Sequence, residues 1–169
     1  MGFDFFKKLF AGPQKEEPAK APSKSNKKVE THRVAGTNHR VKDIASMGLT
    51  NGEYLLNKKD LIKRKLFDKC IYQYVFKPSK IELIEEPETP HDSNAIKVLI
   101  DGTHVGYIKR GSCSHVKKLL KSNAIEKITA EIKGGKYKCL YDHGCDYELE
   151  TGNDTYTIKL SIHCNIAEE

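Results

Sequence analysis

The sequence predicts a mainly β protein with two or three short helices, arranged as a small and mostly antiparallel barrel. Short runs of β-branched and aromatic residues recur along the chain and are separated by Gly, Pro, Asn and Asp, which is the pattern of short strands joined by turns. Too few helical patterns lie between these runs to connect the strands of a doubly wound parallel sheet. The 169 residues, of which 38% are hydrophobic and 31% charged, are enough for one domain with a modest core and a tail.

The first 30 residues are expected to lie outside the domain. Residues 1–10 form a short amphipathic segment, in which Phe3, Phe6 and Phe10 can share one helical face. A helix this short orders only against a membrane, a partner protein or the body of the domain, and the alternative is a start segment without fixed structure. Residues 11–30 are rich in Pro and Lys and poor in large apolar residues, so they are predicted to form a disordered linker.

The first half of the domain is predicted to contain short strands and two short helices. Val41–Met47 carries apolar residues at helical spacing and is followed by a glycine. Asn57 is a suitable N-cap for a second helix. The remaining elements are a strand at His32–Gly36, the end of the second helix near Lys65, and two strands within Lys69–Glu86 that Pro78-Ser79 separates.

The second half is predicted to begin with a β-hairpin. Asp101-Gly102 joins the apolar runs Ala95–Ile100 and His104–Ile108, and an Asp-Gly pair between β-rich runs is a strong hairpin signal. Ser112 is then a suitable N-cap for a helix over Cys113–Asn123. The last elements are strands at Ile125–Ile132 and Tyr137–Tyr141 around a Gly134-Gly135 turn, and a final strand at Thr155–Ile162 with Tyr156, Ile158, Leu160 and Ile162 on one face.

Charge is strongly segregated along the chain. Lys58–Lys80 has eight basic and two acidic residues, a net charge of +6, and Lys109–Lys138 has nine basic and two acidic residues, a net charge of +7. Asp142–Glu169 has one basic and seven acidic residues, a net charge of −6. This separation favours a basic surface that faces an anionic partner, and the alternative is a solubilising surface of mixed charge.

The segment Glu86–Val98 reads E-P-x-x-P-x-D-x-N-A-I-x-V and is followed by a G-Y-I at Gly106–Ile108. This motif resembles the HIRAN domain, which occurs in some chromatin-remodelling and DNA-repair ATPases and as a small free-standing bacterial protein. The resemblance implies that residues 31–166 form an OB-like β-barrel that binds nucleic acid, with a role in DNA repair. Helicase motifs are absent from the sequence, so no ATPase activity is implied.

His91 and Asp92 are the central candidate site residues. A carboxylate repels phosphate and accepts a hydrogen bond from a hydroxyl group, and the resemblance implies that Asp92 contacts the 3′-hydroxyl of a single-stranded DNA end. The alternative is that Asp92 only caps its own turn. His91 stands where the family has a base-stacking Tyr, and Asn38-His39-Arg40 stands where its DNA-binding members have Arg-Tyr-Tyr, which makes His39 and Arg40 candidates for the same pocket.

Five further residues are candidates for nucleic-acid contact. Tyr107, Lys109 and Arg110 follow the hairpin, and the resemblance implies that they face the nucleic-acid backbone, a contact to which Lys and Arg are suited. Tyr72 and Tyr74 alternate with apolar residues and could form a base-stacking platform on one strand face. The alternative is that the tyrosines belong to the core or rim of the sheet and that the cations are only solvated.

The sequence gives no catalytic constellation and no requirement for a cofactor. Neither a GxxxxGK[ST] nor a GxSxG motif is present. The five cysteines are expected to be free thiols, and Cys139, His143 and Cys145 are only weak zinc candidates because no C-x2-C pair occurs. Without a signal peptide or a transmembrane segment, the expected location is cytoplasmic.

The predicted function is therefore non-enzymatic binding of DNA, single-stranded or at a 3′ end. One alternative is a protein-interaction adaptor that uses the same groove and residues 3–10 to contact a partner. A second alternative is a metal-dependent nuclease that uses His91, Asp92 and nearby carboxylates.

Overall fold

A computed structural model describes residues 26–86, 93–144 and 146–166. Seven strands form one antiparallel sheet in the order β3-β8-β9-β1-β7-β6-β5, and β2 and β4 form a separate two-stranded sheet. The strands are β1 Asn26–Ala35, β2 Leu49–Thr50, β3 Cys70–Tyr72, β4 Tyr74–Val75, β5 Ile81–Glu85, β6 Ile96–Ile100, β7 Thr103–Ile108, β8 Ile125–Asp142 and β9 Tyr147–Ile166. The helices are α1 Val41–Ser46, α2 Lys58–Lys63 and α3 Arg110–Lys121, with 3-10 turns at Thr37–His39 and Gly52–Leu55.

The predicted class, mainly antiparallel β with short helices, is confirmed. The predicted closure into a barrel is wrong for the described residues, because β3 and β5 are the two end strands of the sheet and do not pair with each other. The β8–β9 hairpin extends beyond the part of β9 that pairs with β1, and β3 pairs with β8 in this extension.

Two separate groups of buried side chains hold the sheet together. The larger group covers the inner faces of β1, β6, β7 and β9 and the apolar side of α3, which contributes Cys113, Val116 and Leu119. The predicted inward face of β9 is confirmed, since Tyr156, Ile158, Leu160 and Ile162 are all buried. The smaller group joins α2, β3 and β8 and is formed by Leu61, Ile71 and Leu140.

The β6–β7 hairpin lies where the sequence predicts it. Asp101 and Gly102 both have positive φ, of 49° and 79°, which is the requirement of a tight type I′ hairpin turn. Two helix starts differ in outcome: Asn57 caps α2 as predicted, because its side-chain oxygen accepts the backbone N–H of Asp60. The predicted Ser112 cap of α3 is wrong, since the helix begins at Arg110 after Lys109.

The β8–β9 hairpin replaces two predicted strands. Gly134-Gly135 does not form the predicted turn; both residues lie inside β8 at a bulge where the register with β9 shifts. A side chain at Gly134 would lie 2.5 Å from the carbonyl oxygen of Thr155, and one at Gly135 would lie 2.6 Å from the hydroxyl of Tyr156. The glycine pair therefore permits close packing of β9 against a bent strand.

The N-terminal strand also differs from its predicted bounds. β1 begins at Asn26, within the segment assigned to the linker, and its first eight residues pair with β9 from Lys159 to Ile166. Val29 is 55% exposed, and the residues before it are lysines. This part of β1 has few apolar side chains, so its sequence resembles that of a linker. Residues 1–10 lie outside the described residues.

The expectation of free cysteines is wrong for one pair. Cys70 on β3 and Cys139 on β8 lie directly opposite in the ladder and form a disulfide. Cys113 and Cys164 are free and buried. The pairing depends on the register between strands 69 residues apart in the sequence, so cysteine spacing alone does not reveal it.

Candidate nucleic-acid interface

His91 and Asp92 lie outside the described residues, but both flanks of their segment are described. The backbone N–H of Glu86 donates to the carbonyl oxygen of Ala95 at 3.0 Å. The ammonium of Lys117 on α3 lies 3.3 Å from the carbonyl oxygen of Ser93. Strand β5 and helix α3 therefore hold the two ends of the predicted His91-Asp92 turn, and we refer to the flanking residues Glu85, Glu86 and Ser93–Ala95 as the loop root.

Lys117 makes the strongest connection between the loop root and helix α3. Its ammonium lies 3.3 Å from the side-chain oxygen of Asn94 and 3.5 Å from a carboxylate oxygen of Glu85. Its side chain is only 15% exposed, so solvent screens these contacts less than it screens ordinary surface pairs. The partners of Lys117 follow from the packing of α3 against β5, so the sequence pattern alone does not reveal them.

Tyr107 lies directly beside the loop root. Its hydroxyl donates to Glu86 at 3.1 Å, and the ammonium of Lys97 donates to the other carboxylate oxygen of Glu86 at 3.0 Å. Burial, followed by the Glu86 carboxylate, raises the pKa of Tyr107, so the phenol stays protonated and able to donate. The predicted site residue Tyr107 is thus half-buried and oriented, with its ring in a fixed position.

His104 is a member of this cluster that the sequence analysis missed. Its ring meets the ring of Tyr107 edge to face at 4.9 Å, and its Nε2 lies 3.1 Å from the carbonyl oxygen of Gly106. Burial lowers the pKa of His104, and the positive charges of Arg40 and Lys97 lower it further. The ring is therefore biased toward its neutral form, beside two permanent cations.

Arg40 reaches the cluster from the other side of β7. Ala35 of β1 pairs with Tyr107, and the chain then turns at Gly36, whose φ of 80° requires a residue without a side chain. The Thr37 hydroxyl donates to the buried carbonyl oxygen of Tyr156 at 2.7 Å and fixes the turn. Arg40, at 3.8 Å from Asp43, acts electrostatically on both His104 and Tyr107, so the structure brings these predicted and unpredicted residues together.

The remaining predicted site residues near this cluster lie on the surface. His39 is exposed on the 3-10 turn Thr37–His39. Lys109 and Arg110 are exposed at the start of α3, immediately after β7. Cations at this position extend the positive surface from Tyr107 toward α3, where they are accessible to a polyanion.

Tyr72 and Tyr74 do not form the predicted platform on one strand. Tyr72 belongs to β3 of the large sheet and Tyr74 to β4 of the small sheet. The two tyrosines line one open groove of about 380 Å³, but their surroundings differ from those of Tyr107. The Tyr72 hydroxyl donates to Asp154 at 2.8 Å, and this carboxylate raises the pKa of Tyr72.

The weak zinc candidates are not brought together. Cys139 is bonded to Cys70 and has no thiolate to offer, the Nε2 of His143 lies 3.3 Å from Glu148, and Cys145 lies outside the described residues. Residues 26–86, 93–144 and 146–166 contain no group of three or more His, Cys, Asp or Glu side chains that could hold a metal ion. Within the same ranges, the helices are too short or too polar to cross a membrane.

The fold and the cluster around Tyr107 define a class: a small antiparallel β domain with a cationic, aromatic surface beside a doubly anchored loop root. The sequence model of the HIRAN domain matches residues 63–149, just over half of the chain. The chain belongs to the HIRAN domain family. This membership supports nucleic-acid binding as its general function.

Comparison with solved structures adds one relative. The crystal structure of the HIRAN domain of human HLTF is 14% identical and covers 80% of this chain and 74% of its own, with a TM-score of 0.37. No curated protein matches the chain.

Proposed function

We propose that this protein binds single-stranded DNA at its 3′ end, without catalysing a reaction. The observation that carries the proposal is the loop root: both flanks of the predicted His91-Asp92 turn are held beside Tyr107, Lys97 and Arg40. A turn with both ends fixed to a strand and a helix is a rigid support for a recognition residue.

The chemistry of the surface matches a DNA end. Arg40, Lys97, Lys109 and Arg110 supply positive charge for backbone phosphates, and the rings of His104 and Tyr107 supply flat surfaces for a base or sugar. A carboxylate at Asp92 would favour a terminal hydroxyl over a terminal phosphate. A module that grips free 3′ ends would serve DNA repair.

The proposal is tested with labelled single strands that end in a 3′-hydroxyl or a 3′-phosphate. Fluorescence anisotropy should show that the wild type prefers the hydroxyl end by about ten-fold, the equivalent of about 1.4 kcal/mol. Asp92→Ala should lose this preference while keeping general affinity for the strand. Glu53→Gln, which removes a carboxylate on the 3-10 turn Gly52–Leu55, is the matched control and should retain the preference.

Three outcomes separate this proposal from its alternatives. Equal wild-type affinity for both ends would remove the end-recognition proposal and leave general DNA binding. No binding at low salt would favour the protein adaptor, with residues 3–10 as the partner segment. Cleavage of the strand after addition of Mg²⁺ or Mn²⁺ would favour a nuclease.

A further inference from the structure

The outward face of the central sheet carries a second group of cations, distinct from the loop root. Side chains alternate along β1, so that Arg33 and Ala35 are exposed while His32 and Val34 are buried. On β9, Thr157 and Lys159 are exposed in the same way, between the buried Tyr156, Ile158 and Leu160. The exposed residues of both strands therefore share one outward face.

The register places three cations together on this face. Arg33 of β1 lies directly opposite Lys159 of β9, and Lys159 lies opposite Glu131 of β8. One pleat along, Lys133 lies opposite Thr157. Arg33, Glu131, Lys133, Thr157 and Lys159 line a shallow groove of about 290 Å³, to which Ile158 also contributes between Thr157 and Lys159.

Among the described residues that line this groove, Glu131 is the one carboxylate. Lys133 contacts Glu131 at 2.7 Å, and the pKa of Glu131 is lowered first by this lysine and also by Lys159. Like charges directly opposite on neighbouring strands destabilise a sheet. The Arg33–Lys159 pair thus has a structural cost that an anion in the groove would relieve.

The groove lies on the same face of the sheet as the interface around Tyr107. Arg33 is two residues, one pleat of about 7 Å, from Ala35 on the same face of β1, and Ala35 pairs with Tyr107, which pairs with Lys97. From β6 across β7, β1 and β9 to β8 are four strand spacings, about 19 Å. A DNA strand that is bound at Tyr107 and runs across the sheet therefore meets Arg33, Lys159 and Lys133 in turn.

We infer that Arg33, Lys133 and Lys159 form a phosphate track that holds the nucleic-acid backbone as it leaves the end-binding interface, with the Thr157 hydroxyl as an additional donor. The ligand is the phosphodiester backbone and not a base, because the groove offers cations and a hydroxyl but no aromatic ring. The inference rests on the proposed DNA-binding function and extends its footprint.

The test compares a short and a long strand. Arg33→Gln/Lys159→Gln removes two cations of the track, and Lys59→Gln/Lys63→Gln removes two exposed cations of α2 as a matched control. Anisotropy is measured with 3′-hydroxyl strands of about 4 and about 16 nucleotides over a series of salt concentrations. Thermal unfolding of both double variants verifies that they are folded.

If the track exists, the loss of DNA affinity in the variant depends on the length of the DNA strand. The Arg33→Gln/Lys159→Gln variant should bind the long strand about ten-fold more weakly at low salt, with a salt slope reduced by about 1.4, the contribution of two phosphates. Its affinity for the short strand, and both affinities of the control, should stay within about two-fold of wild type.

Three results would overturn the inference, and they differ from one another. If the variant binds the long DNA strand as tightly as the wild type does, the phosphate track is excluded and the end-binding proposal is unaffected. An equal loss for both strands, or an equal loss in the control, would show that only net charge matters. A wild-type protein that binds neither strand would contradict the proposed function itself.

Discussion

Two regions of the large sheet carry opposite charge. Near β1 and β7 the sheet presents the basic face, which we define as Arg33, Lys97, Tyr107, Lys133 and Lys159. At the other end, next to β3, it presents the acidic face, defined as Tyr72, Tyr137, Tyr141, Glu148, Glu150 and Asp154.

The tyrosines of the acidic face are held by carboxylates. The Tyr137 hydroxyl donates to Glu150 at 3.1 Å, and that hydrogen bond raises the pKa of Tyr137. The negative charge of Glu150 is also the main cause of the raised pKa of Tyr141. Aromatic residues occur in both regions, so aromaticity alone does not identify a nucleic-acid interface; the sign of the surrounding charge does.

The two regions also differ in how they are stabilised. The basic face lies over the large buried group that includes Val98, Leu160 and Val116. The acidic face lies over the small group formed by Leu61, Ile71 and Leu140, supplemented by the Cys70–Cys139 disulfide. A change that acts on one region should therefore leave the other largely intact.

The largest expected effect is on stability, from Cys70→Ala/Cys139→Ala. A disulfide that spans 69 residues stabilises by about 4 kcal/mol in the chain-entropy model. Urea denaturation under oxidising conditions should therefore show a free energy of unfolding lower by about that amount. DNA affinity measured well below the unfolding transition should be unchanged, and a large loss of affinity would mean that the acidic region belongs to the DNA site.

The second effect concerns the loop root. Lys117→Met removes the ammonium that holds Ser93, Asn94 and Glu85 but keeps the aliphatic packing of the side chain. We expect most of the roughly ten-fold preference for a 3′-hydroxyl end to be lost, because the recognition turn loses one of its anchors. Lys118→Met, which removes the neighbouring exposed charge of α3, should change the preference little; equal effects of the two variants would refute a positioning role for Lys117.

The third effect is a gain in DNA affinity when negative charge is removed from the acidic face. Glu150→Gln/Asp154→Asn removes two negative charges from the acidic face while keeping acceptors for Tyr137 and Tyr72. Affinity for DNA at low salt should rise by about two- to three-fold through reduced long-range repulsion and should return to the wild-type value at high salt. A decrease in affinity would show that these carboxylates contact the ligand.

The smallest expected effect is a pH dependence that arises from His104. Its pKa in the free protein lies below the ordinary value of about 6.5, because of burial and the nearby cations Arg40 and Lys97. Backbone phosphate at this surface would raise that pKa, so binding takes up a proton and affinity should increase about two-fold as the pH falls from about 8 to about 6. His104→Gln should remove this increment, and an unaltered pH profile in the variant would exclude His104 from the interface.

Local sequence patterns predict the β6–β7 hairpin and its turn, whereas the candidate nucleic-acid interface depends on contacts between segments that are distant in the sequence. Asp101-Gly102 fixes the β6–β7 turn because both residues accept positive φ. Counting outward from that turn would place Lys97 opposite Gly106, but a bulge between Val98 and Leu99 shifts the register and places Lys97 opposite Tyr107. Gly106 inside a strand was the available signal for that bulge.

Other features could not be predicted from local pattern. The anchoring of the loop root by Lys117 requires α3 to pack beside β5, and the disulfide requires β3 to pair with β8 in one register. The sequence predicts a turn at Gly134-Gly135 because glycine pairs are typical of turns. In the structure, the two glycines instead leave space for the side chain of Tyr156 and the backbone of Thr155. Each of these depends on tertiary packing that no window of neighbouring residues contains.

The most direct test of the central claim, that a DNA end is bound at Lys97, Tyr107 and the loop root, is a map of backbone amide chemical shifts during titration with a short single strand that ends in a 3′-hydroxyl. The largest changes are predicted at Ala35–Arg40, Ser93–Lys97 and His104–Arg110, with little change at Tyr137–Asp154. Changes concentrated at Tyr137–Asp154, with His104–Arg110 unaffected, would contradict it.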